Sequence, residues 1–113
     1  MIAEAEAQLG VPYVWGGWNP ETGFDCSGLT AWAWKAGGVT LPHSSTMQYD
    51  ITARVPLDQL QPGDLVFYYQ PIHHVGLYVG NGQMIEAPGT GKYVQRASIW
   101  RSSLVGAGRV RYK

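Results

Sequence analysis

The chain changes periodicity once, at Pro62-Gly63-Asp64, and that switch does most to limit what it can fold into. Ahead of it lie helical stretches punctuated by glycine and proline. Residues 3–9 are rich in alanine and glutamate and predict a first helix stopped by Gly10 and Pro12. Asp25 is a suitable N-cap for a second helix ending at Gly37-Gly38, with Leu29, Trp32, Ala33 and Ala36 on one face. Leu41-Pro42-His43 reads as extended, and Ser44 or Ser45 caps a short third helix through Gln48 and Tyr49. Behind the switch, Leu65 to Tyr69 is a strand with apolar residues on both faces. Residues 74–79 and 83–87 form a hairpin around Asn81-Gly82, and Tyr93 to Arg96 and Gly108 to Tyr112 read as closing strands. Helices first and antiparallel strands second is an α+β order, with N-terminal helices packed on a C-terminal antiparallel sheet.

With 113 residues and no repeat, linker or low-complexity segment, the chain reads as one domain over residues 1–113, large enough for a core without staples. Apolar residues at 45% against 14% charged exclude a disordered chain. A formal net charge of +0 and the lack of any basic run give no footing for nucleic acid or anionic lipid. No apolar run reaches spanning length, so no membrane insertion is expected, and Met1-Ile2-Ala3-Glu4-Ala5-Glu6 is no signal peptide. An export signal would lie outside this chain. One cysteine cannot form an internal disulfide, and no paired-ligand spacing for zinc occurs. Fifteen glycines and five tryptophans are many for this length. They fit tight turns and a groove with aromatic walls, with plain core filling as the alternative for the tryptophans.

The single cysteine, Cys26, lies in Gly23-Phe24-Asp25-Cys26-Ser27-Gly28-Leu29, where a loop turns into a helix. A thiol there faces backbone N–H groups without intrahelical partners and the positive end of the helix dipole, and both lower its pKa. A lone cysteine is most often packing; a partner argues for chemistry. His73-His74-Val75-Gly76-Leu77-Tyr78-Val79 sets an imidazole on a strand, and Met84-Ile85-Glu86-Ala87 sets a carboxylate on the next. These are the parts of an activated thiol nucleophile. Strand alternation puts Val75, Leu77 and Val79 on the core face and His74, Gly76 and Tyr78 on the other, with glycine leaving room beside the imidazole. His74 is therefore the base, and His73 is a loop or rim residue. The same alternation exposes a conflict. A two-residue Asn81-Gly82 turn sets Leu77 opposite Glu86 and carries Glu86 away from His74. A three-residue Gly80-Asn81-Gly82 loop, with a bulge at a left-handed Gly82, sets Gly76 opposite Glu86 and Glu86 diagonal to His74. The chemistry requires the second register.

From Ala3 to about Tyr112 the chain resembles the catalytic domain of the NlpC/P60 family of cell-wall cysteine peptidases. The residues that carry the resemblance are, in order, Gly10-Val11-Pro12-Tyr13-Val14-Trp15-Gly16-Gly17, Phe24-Asp25-Cys26-Ser27-Gly28-Leu29 and Leu41-Pro42-His43-Ser44-Ser45. Pro62-Gly63-Asp64-Leu65-Val66-Phe67, His74-Val75-Gly76-Leu77-Tyr78-Val79-Gly80 and Met84-Ile85-Glu86-Ala87 complete the series. The resemblance implies a papain-like α+β fold in which Cys26 is the nucleophile, His74 the base and Glu86 the residue that orients it. A glutamate at that third position is similar to some actinobacterial cell-separation enzymes. It implies a substrate groove touched by Tyr13, Asp25, Ser27, His43 and Ser45, with His43 departing from an arginine common in the family.

The activity so implied is hydrolysis of the bond between D-γ-glutamyl and a diamino acid such as meso-diaminopimelate in peptidoglycan stem peptides. It would proceed outside the cytoplasm or in the cell wall, by a monomer without metal or other cofactor. Three alternatives stand beside it. One is an N-acetylmuramoyl-L-alanine amidase or another acyl-transfer enzyme on the same fold. The second is a non-catalytic peptidoglycan-binding module. The third is a metal site built from Cys26, His43, His73 and His74. Bland readings also exist for single residues: Asp25 as a cap, Ser27 as a turn residue, Ser45 as a helix cap and Tyr13 as core.

Overall fold

The computed structural model describes residues 1–111, and among them three α-helices precede most of eight strands. In chain order they are α1 (Ile2–Glu6), β1 (Trp18–Asn19), β2 (Gly23–Phe24), α2 (Cys26–Ala36), α3 (Ser45–Ile51) and β3 (Ala53–Arg54). After a 3-10 turn at Leu57–Gln59 come β4 (Leu65–Tyr68), β5 (His74–Gly80), β6 (Gln83–Glu86), β7 (Gln95–Ser98) and β8 (Leu104–Arg109). Six strands make one sheet in the order β3-β8-β4-β5-β6-β7, every pairing antiparallel, while β1 and β2 pair separately. The α+β architecture expected from the switch at residue 62 is the one observed. The first helix is shorter than the alanine-rich stretch, and Tyr112 of the last predicted strand lies outside the described residues.

The central strands have no polar face because the sheet is covered on both sides. Leu65, Phe67, Val75, Leu77 and Ile85 pack with Leu29, Ala33 and Trp34 of α2 and with Ala5 of α1. Val66, Tyr68, Met84 and Ala107 pack with Val55 and Ile99 on the opposite side. Burial of each such side chain is worth about 1.5–3 kcal/mol, so this double layer supplies most of the driving force. The helix stripe is rotated from the expected one. Ala36 is exposed while Trp34 is buried, its indole N–H donating to the Gly63 carbonyl at 3.0 Å. The tight Pro62-Gly63-Asp64 turn thus anchors the C-terminal end of α2.

The hairpin settles the register question in a way that neither simple loop describes. Leu77 faces Ile85 and Tyr78 faces Met84, which continues to Gly76 facing Glu86; yet Gly80 faces Gln83. The turn therefore has two central residues, Asn81 and Gly82, both at positive φ (56° and 72°). That is the conformation that matches the twist of a hairpin. The irregularity lies between Tyr78 and Gly80, so the extra residue is Val79 and not Gly82 as expected. The expected register is right, and the bulge sits in the strand before the turn. The room left by Gly76 is also used differently: a Cβ there would strike the Met84 thioether, so methionine and not the imidazole fills the space.

Buried polar contacts fix α2 against the loops around it. Gln48 of α3 is fully buried, accepts from the Thr30 hydroxyl at 2.6 Å and donates to the carbonyls of Ser27 (3.0 Å) and Pro42 (2.8 Å). The first turn of α2 lies against the Gly17 backbone so closely that a Cβ on Gly28 would collide with the Gly17 carbonyl oxygen. Gly28→Ala should therefore cost about 2 kcal/mol or more and lower the melting temperature by roughly 8 °C or more. Calorimetry on the two chains checks this, and an unchanged transition would show that the Gly17 loop yields freely.

Candidate active site

The site is built from the start of α2. Asp25 is extended (φ −91°, ψ −177°), and its Oδ1 accepts from the Gly28 N–H at 2.8 Å, the geometry of an N-cap. Its other oxygen accepts from the Gly16 N–H at 3.1 Å, and His43 Nε2 lies 2.7 Å from Oδ1. The Ser27 hydroxyl also points to Oδ1, at 3.5 Å. One carboxylate thus joins the glycine loop, the helix start and the segment before α3. The next residue, Cys26, opens the helix half-buried, with its N–H among those that no helical carbonyl can reach.

The imidazole comes from the first residue of β5. His74 is 7% exposed, and its Nε2 lies 2.7 Å from Glu86 Oε1, which leaves Nδ1 as the ring nitrogen free for Cys26. Glu86, at the end of β6, is completely buried. Gln95 Nε2 donates to its Oε2 at 2.7 Å, Arg101 Nη1 donates to Oε1 at 3.0 Å, and Arg101 Nη2 closes a second contact on Oε2. Gln95 directly faces Glu86 across the β6–β7 ladder. The ring of His74 lies tilted against Tyr68, its partner on β4, with centroids 5.5 Å apart.

These contacts govern protonation. Burial alone would push Glu86 up, but donation from His74, Arg101 and Gln95 outweighs it and holds the carboxyl down at about 2. Burial alone would lower His74, but hydrogen bonding and charge interaction with Cys26 and Glu86 outweigh it and raise the imidazole to about 9. The Tyr13 phenol is raised by burial and by the charges of Cys26 and Asp25, which keeps it a hydroxyl donor. Cys26 and His74 open on a cleft of about 240 Å³ bounded by Tyr13, Tyr69, His73, Pro88 and Arg101.

Of the residues singled out in the sequence, the structure brings together Cys26, His74, Glu86 and Tyr13. Asp25, Ser27 and His43 form a second group beside the helix start and do not line that cleft. Ser45 is the first residue of α3; the cap is Ser44, whose hydroxyl accepts from the Met47 N–H at 3.2 Å. His73 stands at the rim, its ring stacked on Tyr69 at 4.2 Å and its carbonyl 4.0 Å from the Cys26 sulfur. Among the described residues no group of three or more His, Cys, Asp and Glu converges as a metal site. Gln95, Arg101 and Tyr69 escaped the sequence reading. Extending the hairpin ladder one strand further pairs Gln95 with Glu86, whereas no pattern marks Arg101, which reaches Glu86 from an irregular turn. Tyr69 sits at φ 75°, a conformation that costs a non-glycine residue energy and that gathers at functional sites.

This geometry can be compared with known proteins. The NlpC/P60 family matches residues 10–109. A probable endopeptidase p60 of Listeria seeligeri is 52% identical over 114 residues, covering 97% of this chain and 22% of the relative. The bifunctional muramidase/DL-endopeptidase CwlT of Bacillus subtilis is 42% identical over 118 residues, covering 98% of this chain and 36% of the relative. The chain therefore spans between about a fifth and two fifths of these relatives. Among solved structures, the NlpC/p60 domain of the peptidoglycan hydrolase SagA superposes with a TM-score of 0.87 at 34% identity, covering 96% of this chain and 95% of that one. An NlpC/P60 family protein from Bacillus cereus ATCC 10987 gives 0.90 at 34% identity, over 96% of this chain and 38% of that one. A family match across nearly the whole length, on this fold, supports one conclusion: the chain belongs to the NlpC/P60 family.

Proposed function

We propose that this chain is the catalytic domain of a peptidoglycan hydrolase, a cysteine endopeptidase that cuts stem peptides between D-γ-glutamyl and a diamino acid such as meso-diaminopimelate. The observation that supports it is the line Cys26–His74–Glu86 closing on an open cleft at a helix start. With His74 raised to about 9, the imidazole is protonated at neutral pH and stands as a cation beside the Cys26 sulfur. The thiolate attacks the γ-carbonyl carbon, and the Cys26 N–H and Tyr13 hydroxyl receive the developing oxyanion. His74 gives its proton to the departing amine of the diamino acid as the C–N bond breaks, leaving a Cys26 thioester. Water, relieved of a proton by His74, attacks the thioester, releases the glutamyl carboxylate and restores the pair. Glu86 holds the ring and stabilises its charged form, while Arg101 and Gln95 hold Glu86. Names of similar proteins support the hydrolase and endopeptidase parts of this reading. It places the chain's work in the cell wall, outside the cytoplasm, as a monomer.

Cys26→Ala and His74→Ala should each lower kcat/KM by about 10³-fold or more, since the groups act as a unit. His73→Ala should cost no more than about tenfold, because that ring stacks at the rim. Steady-state hydrolysis by the three variants checks the order, and a His73 variant as damaged as the His74 variant would reverse the assignment of the base.

The pH dependence follows from the same shifts. A raised imidazole stabilises the fold fully below about 6.5 and loses that contribution as pH climbs through about 9, where activity should also fall. A depressed carboxyl stabilises above about 4.5 and loses its contribution as pH drops toward about 2. Glu86→Gln removes the negative partner and leaves Arg101 beside the ring. The alkaline limb of kcat/KM should move down by about one pH unit or more. An unmoved limb would mean that His74 does not set it.

Digestion of peptidoglycan of known stem composition, in excess chelator, followed by mass spectrometry tests the bond. New amino termini on the diamino acid and new carboxyl ends on D-glutamate are expected. Free L-alanine termini would replace this reading with the amidase, and loss of activity in chelator would revive the metal site.

A further inference from the structure

A second groove runs along α2 and is bounded at one point by His43, the partner of Asp25. It has a volume of about 370 Å³, within the range of about 300–1,000 Å³ typical of small-molecule sites. Trp18, Trp32, Ala31, Lys35, Thr40 and His43 are among the residues that bound it. We infer that this groove is a saccharide subsite, which holds the acetamido sugar to which a stem peptide is attached. The inference rests on the peptidoglycan reading above and adds a part of the substrate that the cleft itself does not explain.

Three features point to a sugar. Trp18 is 57% exposed on a two-residue strand, and Trp32 has its indole N–H committed to Glu4 Oε1 at 2.8 Å, so what Trp32 offers the groove is ring surface and not a donor. The negative faces of such rings attract the weakly positive C–H groups on one side of a pyranose. Polar groups stand at the edges: the Thr40 hydroxyl, the His43 ring and the Lys35 ammonium, which has no carboxylate partner among the described residues. A ring with apolar faces and hydroxyl and acetamide edges matches apolar walls with a polar rim. Among the described residues no carboxylate lines the groove, so hydroxyls and an acetamide carbonyl meet donors there.

The spacing agrees. Ala31 and Lys35 lie five and nine residues beyond Cys26 on α2, which at about 1.5 Å and about 100° per residue places them roughly 7.5 and 13.5 Å along the axis and on the opposite side of the helix from the thiol. Between the scissile bond and the sugar lie a γ-linked glutamyl residue, an alanine and the lactyl group. Two extended residues span at most about 7 Å, and the extra atoms of the γ-linkage and the lactyl ether bring the total to roughly 10 Å. A peptide with its carbonyl at Cys26 that passes over the helix start at Asp25 and His43 therefore brings its sugar to the near end of the groove, at Gly28, Ala31 and His43.

The test compares two substrates that share the same tetrapeptide, one carrying the N-acetylglucosaminyl–N-acetylmuramyl disaccharide and one with a free amino terminus. Stacking on an aromatic face predicts that the sugar-bearing substrate is favoured in kcat/KM by about tenfold or more. Trp18→Ala should reduce that ratio to about one, mainly through KM, and Lys35→Gln should reduce it in part. A wild-type ratio of one, or a preference that survives Trp18→Ala, overturns the inference, the second outcome placing the sugar outside this groove. Binding is read independently of turnover by titrating the disaccharide alone into Cys26→Ala protein and following indole resonances. Saturable shifts lost in Trp18→Ala support the subsite and their absence overturns it, even where neither peptide is cut and the peptidase reading itself fails.

Discussion

The buried Glu86 carboxylate is the contact on which the rest of this site depends. A carboxylate with no exposure is costly unless charge and hydrogen bonds compensate it, and here both oxygens are engaged by His74, Gln95 and Arg101. Each partner comes from a different element: β5, β7 and the turn before β8. The ionised state of Glu86 is therefore supported by the tertiary fold as a whole, and local loosening of any of the three would raise the cost of the charge. In return the carboxylate sets the tautomer of His74, since a proton held on Nε2 toward Glu86 directs Nδ1 to the cysteine.

Glu86 reaches that place through one residue of bulge. A regular hairpin closed by Asn81-Gly82 would set Leu77 opposite Glu86 and turn the carboxylate into the face filled by Leu29, Ala33 and Trp34. Val79 absorbs the mismatch, so the ladder runs with Leu77 on Ile85 below it and the favoured turn persists above it. Turn chemistry and core patterning want different registers, and a bulge satisfies both. The arrangement also explains why Gly76 is a glycine, because a Cβ there would strike the Met84 thioether.

The elements legible in sequence were those whose signals are local. The Asp25 cap, the α+β order and the His74 face rest on side-chain chemistry or alternation within a few residues, and the structure has them as expected. The bulge was inferred from a chemical requirement and was misplaced by three residues, because that requirement fixes a register without saying where the extra residue goes. The helix stripe differs from the expected one because Trp34 is held by the Gly63 carbonyl of the turn before β4, a contact that periodicity cannot show. Arg101 is the hardest case. It lies 15 residues from Glu86 in an irregular segment, and its meaning arises only after β7 has folded back on β6.

The two halves of the site divide by the chemistry of their carboxylates. Glu86 is sealed and serves one imidazole; Asp25 is only partly buried and gathers the Gly16 loop, the Gly28 amide and His43. The first arrangement fixes a proton at one atom, for which burial and saturation are needed. The second joins three chain segments beside the helix start, for which partial burial is enough. Cys26 stands between them because the residue after an N-cap is the first that can offer both a side chain and an uncommitted N–H at one point. In the proposed mechanism a helix start thus supplies nucleophile and oxyanion donor from one residue, and only the imidazole has to be brought from the sheet.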